Sequence, residues 1–485
     1  MTREQTKSSL LGNSISNVDY DIAIIGAGPV GLATALGLYQ RGIENVIVLD
    51  QTRAFRQVGQ TVDLLPNGLK SLKYTHTQAY ENITATVEKA NTETPSEKKQ
   101  PSSEWTTRNV NGQKIRSFPL GYDDWFNKYG EGRVSIAWFN LQTQLRTLLP
   151  SDRVKINHRC VNVVNEPDFN CIRANFSHDL RIKENPYSHW QEAPEEEQDS
   201  TLSPDYFDSE TTSIRAKLLI AADGINSTVR QVVYKDTPYY LYDKPKYSGL
   251  TSISGGLNCI PETLSQKIND RFLQGNRVVT IVGDKVPGNS SDNQGGRMLL
   301  YSPKPGYFGY LAYAPLPLEL LTGKSGQDLI DIAVSELKKA NFPEIIQQLV
   351  AESDPLQMRQ RPYYIHRVTV PPSDTLKWSR GRVVLVGDAA HGMPPFAAQG
   401  ANQGLEDAAV ISALVAEIAR KNQWDDLSAI ASAFNQYESL RRPLLSLVQQ
   451  TTLTGLDRLS ESELEEYNQQ VYARNIDKII NELLL

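Results

Sequence analysis

Short apolar runs alternate along the chain with amphipathic stretches and with polar, proline-containing segments. Tyr20–Ile25 is mostly apolar and suits a buried parallel strand. Residues 32–41 carry helical spacing, Gly42 can stop that helix, and Val46–Leu49 reads as the next strand. Residues 215–230 repeat the strand–turn–helix pattern, and residues 380–420 read strand–loop–helix. Between them the chain changes character. Strand-like runs at 298–301 and 309–313, followed by a helical stretch over Gln327–Lys339, predict a second unit with a substantial sheet. Residues 427–485 read as mostly helical, with Leu464, Tyr467, Val471, Ile476, Ile479, Ile480 and Leu483 near one stripe.

This pattern predicts an α/β chain: a Rossmann-like domain, a fold that FAD/NAD(P)-binding domains use, with an inserted, mainly β domain and C-terminal helices. Residues 1–19 are polar and read as a mobile leader. Residues 20–240 form the first part of the nucleotide domain, with exposed insertions near 92–103 and 184–212. Residues 241–370 form the inserted domain, residues 371–450 return to the nucleotide domain, and residues 451–485 add the terminal helices.

Composition narrows the function classes. The chain has 485 residues, too many for one ordinary core, with 40% hydrophobic and 22% charged residues, as in soluble globular proteins. A formal charge of −6 with no long basic stretch excludes a nucleic-acid footprint. The three cysteines (Cys160, Cys171, Cys259) form no CxxC pair, and the six histidines show no metal-ligand spacing. No signal peptide and no run of 18 apolar residues is visible, so the expectation is a cytoplasmic chain, monomeric or homodimeric, without a transmembrane segment.

Three turns carry the candidate chemistry. Gly26-Ala27-Gly28-Pro29-Val30-Gly31 is a GxGxxG between a strand and a helix. Gly26 permits the tight turn, Gly28 the approach of a pyrophosphate, and Gly31 close helix–strand packing. The helix N-terminus beyond Pro29 offers N–H groups and a positive dipole end to phosphates. Asp50 ends the second strand, where a carboxylate accepts from both ribose hydroxyls and repels a 2′-phosphate. Asp223-Gly224 ends a second apolar strand within AADGINSTVR, which continues to Arg230. Gly387-Asp388 ends a third, within GDAAHGMPPFAAQGANQG, which contains Pro394, Pro395, Phe396, Gln399, Gly400, Ala401 and Asn402.

In this order the three strings resemble the class A flavoprotein monooxygenases, which include 4-hydroxybenzoate hydroxylase, salicylate hydroxylase and zeaxanthin epoxidase. Weaker echoes are GQTVDLLPNGLKSL (59–72), WSRG (378–381) and YESLRRP (437–443), so the resemblance runs from about residue 20 to residue 450. It implies FAD as cofactor, NADH or NADPH as transient donor, and oxygen transfer from O2 to an aromatic or unsaturated small molecule through a flavin C4a-hydroperoxide. It also implies that Asp388 accepts a ribityl hydroxyl and that the helix after Asn402 points its positive end at the flavin pyrimidine edge. By the same likeness Pro394-Pro395 forms a rigid wall beside the reactive carbon, Asp223 and Arg230 hold the cofactor loop and help receive the donor, and His391 is mainly structural. The chain departs from the family where an Arg often opens an R-x-x-L-x-x-x-L helix. Trp138 stands there, and Arg56 is the expected substitute.

The substrate is expected between the two domains, with Tyr310, Tyr313, Tyr363, Phe396 and Arg367 as candidate lining residues; strand alternation allows only one of His366 and Arg367 to point inward. Competing readings are a flavin-dependent halogenase, a prenyl-chain reductase and a non-catalytic FAD-binding protein. The Trp-x-Trp-x-Ile-Pro signature of the first is not visible. Oxygen uptake separates the second, and lack of NAD(P)H turnover the third.

Overall fold

The computed structural model describes residues 18–52, 55, 61–92, 104–179, 209–284, 296–369 and 376–485. The expected leader, Arg56, residues 93–103 and residues 184–208 lie outside the described residues. Two expectations at their margins change. The helix Thr77–Thr92 reaches into the expected 92–103 loop, and the strand Ser209–Ala221 takes up the end of the expected 184–212 insertion.

The first sheet has a parallel core. Val383–Leu385, Ser209–Ala221, Tyr20–Ile25, Val46–Leu49 and Val154–Lys155 lie side by side in that order. Ile22, Ile24, Leu218, Ile220, Val384 and Leu385 are fully buried, as continuous apolar runs require when both faces are covered. The first half of the long strand pairs antiparallel with Cys171–Asp179, which pairs in turn with Arg159–Glu166. Helices Pro29–Gln40 and Gly400–Arg420 pack on each other beside this sheet. Their contact is close: a Cβ on Gly404 would overlap the Val30 side chain.

The second sheet runs Arg359–Ile365, Lys246–Ser254, Tyr307–Pro315, Arg297–Lys304, Val278–Val282, Glu104–Asn109, Lys114–Pro119. Its last two strands come from inside the segment expected to belong wholly to the nucleotide domain. Glu104–Asn109 pairs parallel with Val278–Val282, so Val279 stands opposite Thr106. The second sheet thus includes a hairpin from residues 104–119. Period-two alternation divides this sheet's faces. Val279, Ile281, Met298, Leu300, Tyr310 and Ala312 pack against helices Glu262–Ile268, Gln327–Lys339 and Glu344–Ala351 in a core of their own. Thr280, Leu299 and Tyr313, of opposite parity, face the other way. The expected C-terminal stripe is divided between two helices: Tyr467 and Val471 of Glu461–Val471 join one cluster, and Ile476 and Ile480 of Ile476–Leu484 join the main core.

Candidate functional site

The three turns singled out above meet at the carboxyl ends of three adjacent parallel strands, Tyr20–Ile25, Ser209–Ala221 and Val383–Leu385. At Gly26 the chain turns with φ +106°, and a Cβ there would overlap the carbonyl of Ala222, just before Asp223. A Cβ on Gly31 would overlap Gly26 O and stand 3.2 Å from Ala222 Cβ, so the first and second turns touch. A Cβ on Gly387 would lie 3.2 Å from Val30, and one on Gly400 would lie 3.9 Å from Asp388 Oδ1. The third strand end is thereby brought against both the fingerprint helix and the start of the Gly400–Arg420 helix.

Gly28 behaves differently. A Cβ there would have nothing within 4 Å, because it points into an open groove of about 710 Å³. Gly26, Asp50, Trp138, Gln142, Asp223 and Gly224 are among the groove's walls. The helix it meets begins with Gly28 as N-cap and Pro29 at its first position, and its first turn carries no acidic residue. First-turn N–H groups have no intrahelical partner, and the dipole adds positive potential there. Asp50 Oδ2 accepts from Ala27 N at 2.6 Å and Oδ1 from Thr52 N at 2.7 Å, which fixes the carboxylate at the groove wall. Trp138 stands in the groove where the cationic family residue was expected, and Gln142, one turn later, donates from Nε2 to Ala27 O at 2.7 Å.

Asp223 turns inward on its own loop: Oδ1 accepts from Ser227 Oγ and Oδ2 from Thr228 N and Val229 N. Burial holds its carboxyl above the ordinary carboxylate range, opposed by those hydrogen bonds. Arg230 is 1% exposed, and the structure does not bring it to the groove. Its guanidinium donates to Tyr242 O, Ala389 O and Ala390 O, tying the second turn to the residues after Asp388. A direct part for Arg230 in receiving a donor is therefore corrected to a tie inside the protein, because a side chain packed away from solvent on three carbonyls has no approach for a ligand.

Asp388 is reached by water, but crowding by surrounding protein raises its carboxyl above the ordinary value; His391 opposes the rise and Asp407 adds to it. Beneath it lies a buried charge network. Asp407 accepts from Gly387 N at 2.8 Å, contacts His391 Nε2 at 2.5 Å, and pairs with Arg441 Nε at 2.8 Å. Arg441 also pairs with Glu406 at 2.6 Å, which pairs with Arg474 at 2.7 Å. Burial opposes ionisation of Asp407, yet His391 and Arg441 hold its carboxyl at about 2. His391, 1% exposed, thus sits inside the protein on Asp407.

Asn402 is fully buried with every side-chain group engaged: Oδ1 accepts from Leu65 N, and Nδ2 donates to Asp63 O and Ala398 O. Gln399 Oε1 accepts from Asn67 and Gln403. These side chains set the loop, and the backbone N–H groups of Gly400, Ala401 and Asn402 form the first turn of the long helix. Ala398 has φ +52°, a conformation rare outside glycine and frequent at functional loops.

A second cavity, of about 210 Å³, lies between this loop and the second sheet. Pro395, Phe396, Ala397 and Ala398 form one wall, while Thr107, Thr280, Leu299 and Tyr313 form another. Pro394, the other half of the expected wall, is buried and does not line it. Of the expected lining residues, Tyr313 and Phe396 are brought together, their rings 5.0 Å apart and edge-on. Tyr363 packs behind them, 5.1 Å from the Phe396 ring, with its hydroxyl on Ser252 Oγ at 2.9 Å. Burial raises Tyr313 above the ordinary phenol value.

Two expectations are corrected. Tyr310 is 0% exposed in the second core with its hydroxyl on Ser353 Oγ at 2.8 Å, because an odd spacing from Tyr313 puts it on the opposite face. Arg367 points to solvent, while His366 is the inward member of the pair, 2% exposed with Nε2 on Ile225 O at 2.7 Å. Burial, then the nearby Arg230 charge, pushes the His366 imidazole down to about 3. The sequence reading missed the charged residues of the cavity: Asp63 with Arg133, and Arg297 with Asp457. Alternation with Leu299 and Thr280 could have assigned Arg297 to this face; nothing local marks Asp63 or Asp457. Among the described residues no group of three or more His, Cys, Asp or Glu could hold a metal ion.

The geometry fits a flavin dinucleotide. An open groove at a fingerprint helix carries a strand-end carboxylate, and the third turn, packed on that helix, brings up a second helix start whose preceding loop walls a separate small cavity. That architecture defines a dinucleotide-binding flavoprotein. Comparison with known proteins agrees: the model of the FAD binding domain matches residues 19–107 and 330–451. The chain is 27% identical to 3-amino-4-hydroxybenzoate 2-monooxygenase of Streptomyces cremeus, covering 88% of this chain and 84% of that protein. It is 24% identical to 6-hydroxynicotinate 3-monooxygenase of Bordetella bronchiseptica, covering 89% and 90%. In fold it is similar to a salicylate hydroxylase substrate complex, with TM-score 0.62, 17% identity and coverage of 95% and 97%. The Klebsiella pneumoniae HpxO structure with FAD and uric acid gives TM-score 0.57, 22% identity and coverage of 96% and 97%. The chain is similar to the class A, aromatic-ring-hydroxylase-like FAD-dependent monooxygenases. It is an FAD-dependent oxidoreductase.

Proposed function

We propose that the chain places one oxygen atom of O2 on an aromatic ring held in the 210 Å³ cavity, with FAD in the 710 Å³ groove and NADH or NADPH as electron donor. Bound FAD supplies hydride acceptance and dioxygen activation. Substrate, O2, NAD(P)H and a proton give hydroxylated product, water and NAD(P)+. The observation that carries this reading is the shared loop. Residues 395–398 wall the cavity, and the next residues open the helix that abuts Asp388.

In this reading Gly26, Gly28, Pro29 and Gly31 leave room for a pyrophosphate at the first helix, whose N–H groups receive it. Asp50 accepts from ribose hydroxyls, with Trp138 as an apolar wall beside it. Asp223 and Gly224 shape the groove, and Arg230 holds that loop to the third turn. Asp388, after Gly387, accepts from the ribityl chain. The first-turn N–H groups of Gly400, Ala401 and Asn402, ordered by Gln399 and the Asn402 side chain, stabilise negative charge on the reduced cofactor. Pro395, backed by buried Pro394, and Phe396 keep water from the reacting face, while Tyr313 orients the ring and Tyr363 supports both aromatics.

The reading places the chain in the cytoplasm, as monomer or homodimer. Three cysteines outside any disulfide support it. Among the described residues no helix is long and apolar enough to cross a membrane.

The test is NAD(P)H oxidation and uptake of isotopically labelled O2 by FAD-loaded protein across phenols, N-heteroaromatic compounds and polyenes. The expected result is substrate-stimulated uptake with label in the product. NAD(P)H oxidation that no aromatic compound stimulates, or product without label, overturns it.

A further inference from the structure

We propose that the aromatic substrate is uncharged, and that Asp63 and Asp457 set this preference by neutralising the two arginines of the cavity. The inference rests on the proposed function, since it concerns the ligand of the same cavity.

Among the described residues, the charged side chains lining the cavity are Asp63, Arg133, Arg297 and Asp457, and they are already matched. Arg133 Nη2 stands 2.7 Å from Asp63 Oδ1, with the side chains 11% and 18% exposed, and Arg133 Nη1 donates to Leu120 O at 3.1 Å. Asp63 Oδ1 also accepts from Ser135 Oγ. Arg297 Nη2 stands 3.0 Å from Asp457 Oδ1, with 12% and 13% exposure, and donates to Thr454 O at 3.0 Å. A Cβ on Gly455 would overlap Nη2, so the backbone there is shaped around the guanidinium.

A half-desolvated guanidinium with no counter-ion is a carboxylate receptor. One that already faces a carboxylate a few ångströms away is not. A second anion would meet like-charge repulsion in a poorly screened cavity, or would have to displace a tethered partner and leave it unpaired. An uncharged ring leaves both pairs intact and gains its affinity from Trp105, Phe118, Trp125 and Tyr313. The remaining lone pairs of Asp63 and Asp457 favour ligands that carry O–H or N–H donors. The indole of Trp105 is engaged on Thr280 Oγ1 at 2.9 Å, so it adds no donor for an anion.

The experiment is isothermal titration of the FAD-loaded protein with matched pairs that differ only in charge: salicylate against salicylamide, 4-hydroxybenzoate against 4-hydroxybenzamide, and the corresponding naphthalene pair. The wild type is expected to bind the carboxamide at least about tenfold tighter in every pair that binds. Asp457→Asn and Asp63→Asn keep shape and one acceptor but free a guanidinium, and each is expected to move selectivity at least about tenfold toward the carboxylate. Carboxylates binding as tightly as carboxamides to the wild type, or no carboxamide binding at all, overturns the inference. So does unchanged selectivity in both variants with wild-type melting behaviour. If neither variant folds, the wild-type comparison alone decides. Carboxamide binding without substrate-stimulated oxygen uptake would instead count against the proposed function.

Discussion

Replacing Arg441 by Met probes the charge network under the third turn. Arg441 is 0% exposed and pairs with Glu406 at 2.6 Å and Asp407 at 2.8 Å; both carboxylates are at most 1% exposed. Met keeps most of the volume and removes the cation. Glu406 retains Arg474, and Asp407 retains His391 and the Gly387 N–H. Breaking a buried pair by removing one partner costs about 3–5 kcal/mol, because the charge left behind stays desolvated. On the scaling for domains of a few hundred residues, that is a fall in Tm of roughly 6–20 °C. The pH dependence has a definite sign. In the wild type Asp407 is held at about 2, below its unfolded value, so its contribution is present above the unfolded pKa and is lost as pH falls through about 2. In the variant, two adjacent buried carboxylates share too little positive charge, so folding takes up a proton. The deficit relative to wild type should then shrink by up to about 1.4 kcal/mol per pH unit between roughly pH 7 and 5. Urea unfolding of both proteins at the two pH values measures it. A deficit below about 1 kcal/mol, or one equal at both pH values, refutes the reasoning.

Gly28→Ala puts a methyl into the open groove, so FAD affinity should fall at least about tenfold with melting of the apoprotein nearly unchanged. Gly31→Ala, which drives a methyl into Gly26 O, should lower apoprotein stability as well; titration calorimetry and thermal melts separate the two. Tyr310→Phe should cost about 1 kcal/mol of stability through the Ser353 hydrogen bond and leave KM unchanged, whereas Tyr313→Phe should alter KM; steady-state kinetics beside urea unfolding tests the assignment to opposite faces. The His366 imidazole, pushed down to about 3, must be neutral in the folded chain. Its contribution is present above its unfolded pKa near 6.5 and is lost as pH falls toward 3, so His366→Gln should flatten the acid limb of the stability curve.

Much of this was legible because its signals are local. Tyr20–Ile25, Val46–Leu49 and Gln327–Lys339 have the bounds their apolar periodicity predicts. The three turns were readable because each couples a buried strand to a loop whose residue types have few other uses. The hairpin of residues 104–119 was not, since its partner Val278–Val282 lies some 170 residues on and its own sequence is polar. Sheet parity was available for Tyr310 and Tyr313 and would have separated them. The buried charges were illegible for a different reason. Arg441, Glu406 and Asp407 look like solvated helix-surface residues until a second helix covers them, and the Asp63–Arg133 pair joins residues far apart in the chain. Trp138 shows a departure whose consequence needed the groove: the position keeps its place at the wall and changes from charged to apolar.

Titrating FAD into the purified, folded chain, with Gly28→Val and Asp388→Ala alongside, tests most directly whether the three turns form one cofactor site. One FAD per chain is expected for the wild type, with binding weakened by each substitution although they lie on different turns. A folded wild type that takes up no FAD, or binding that neither substitution disturbs, contradicts it.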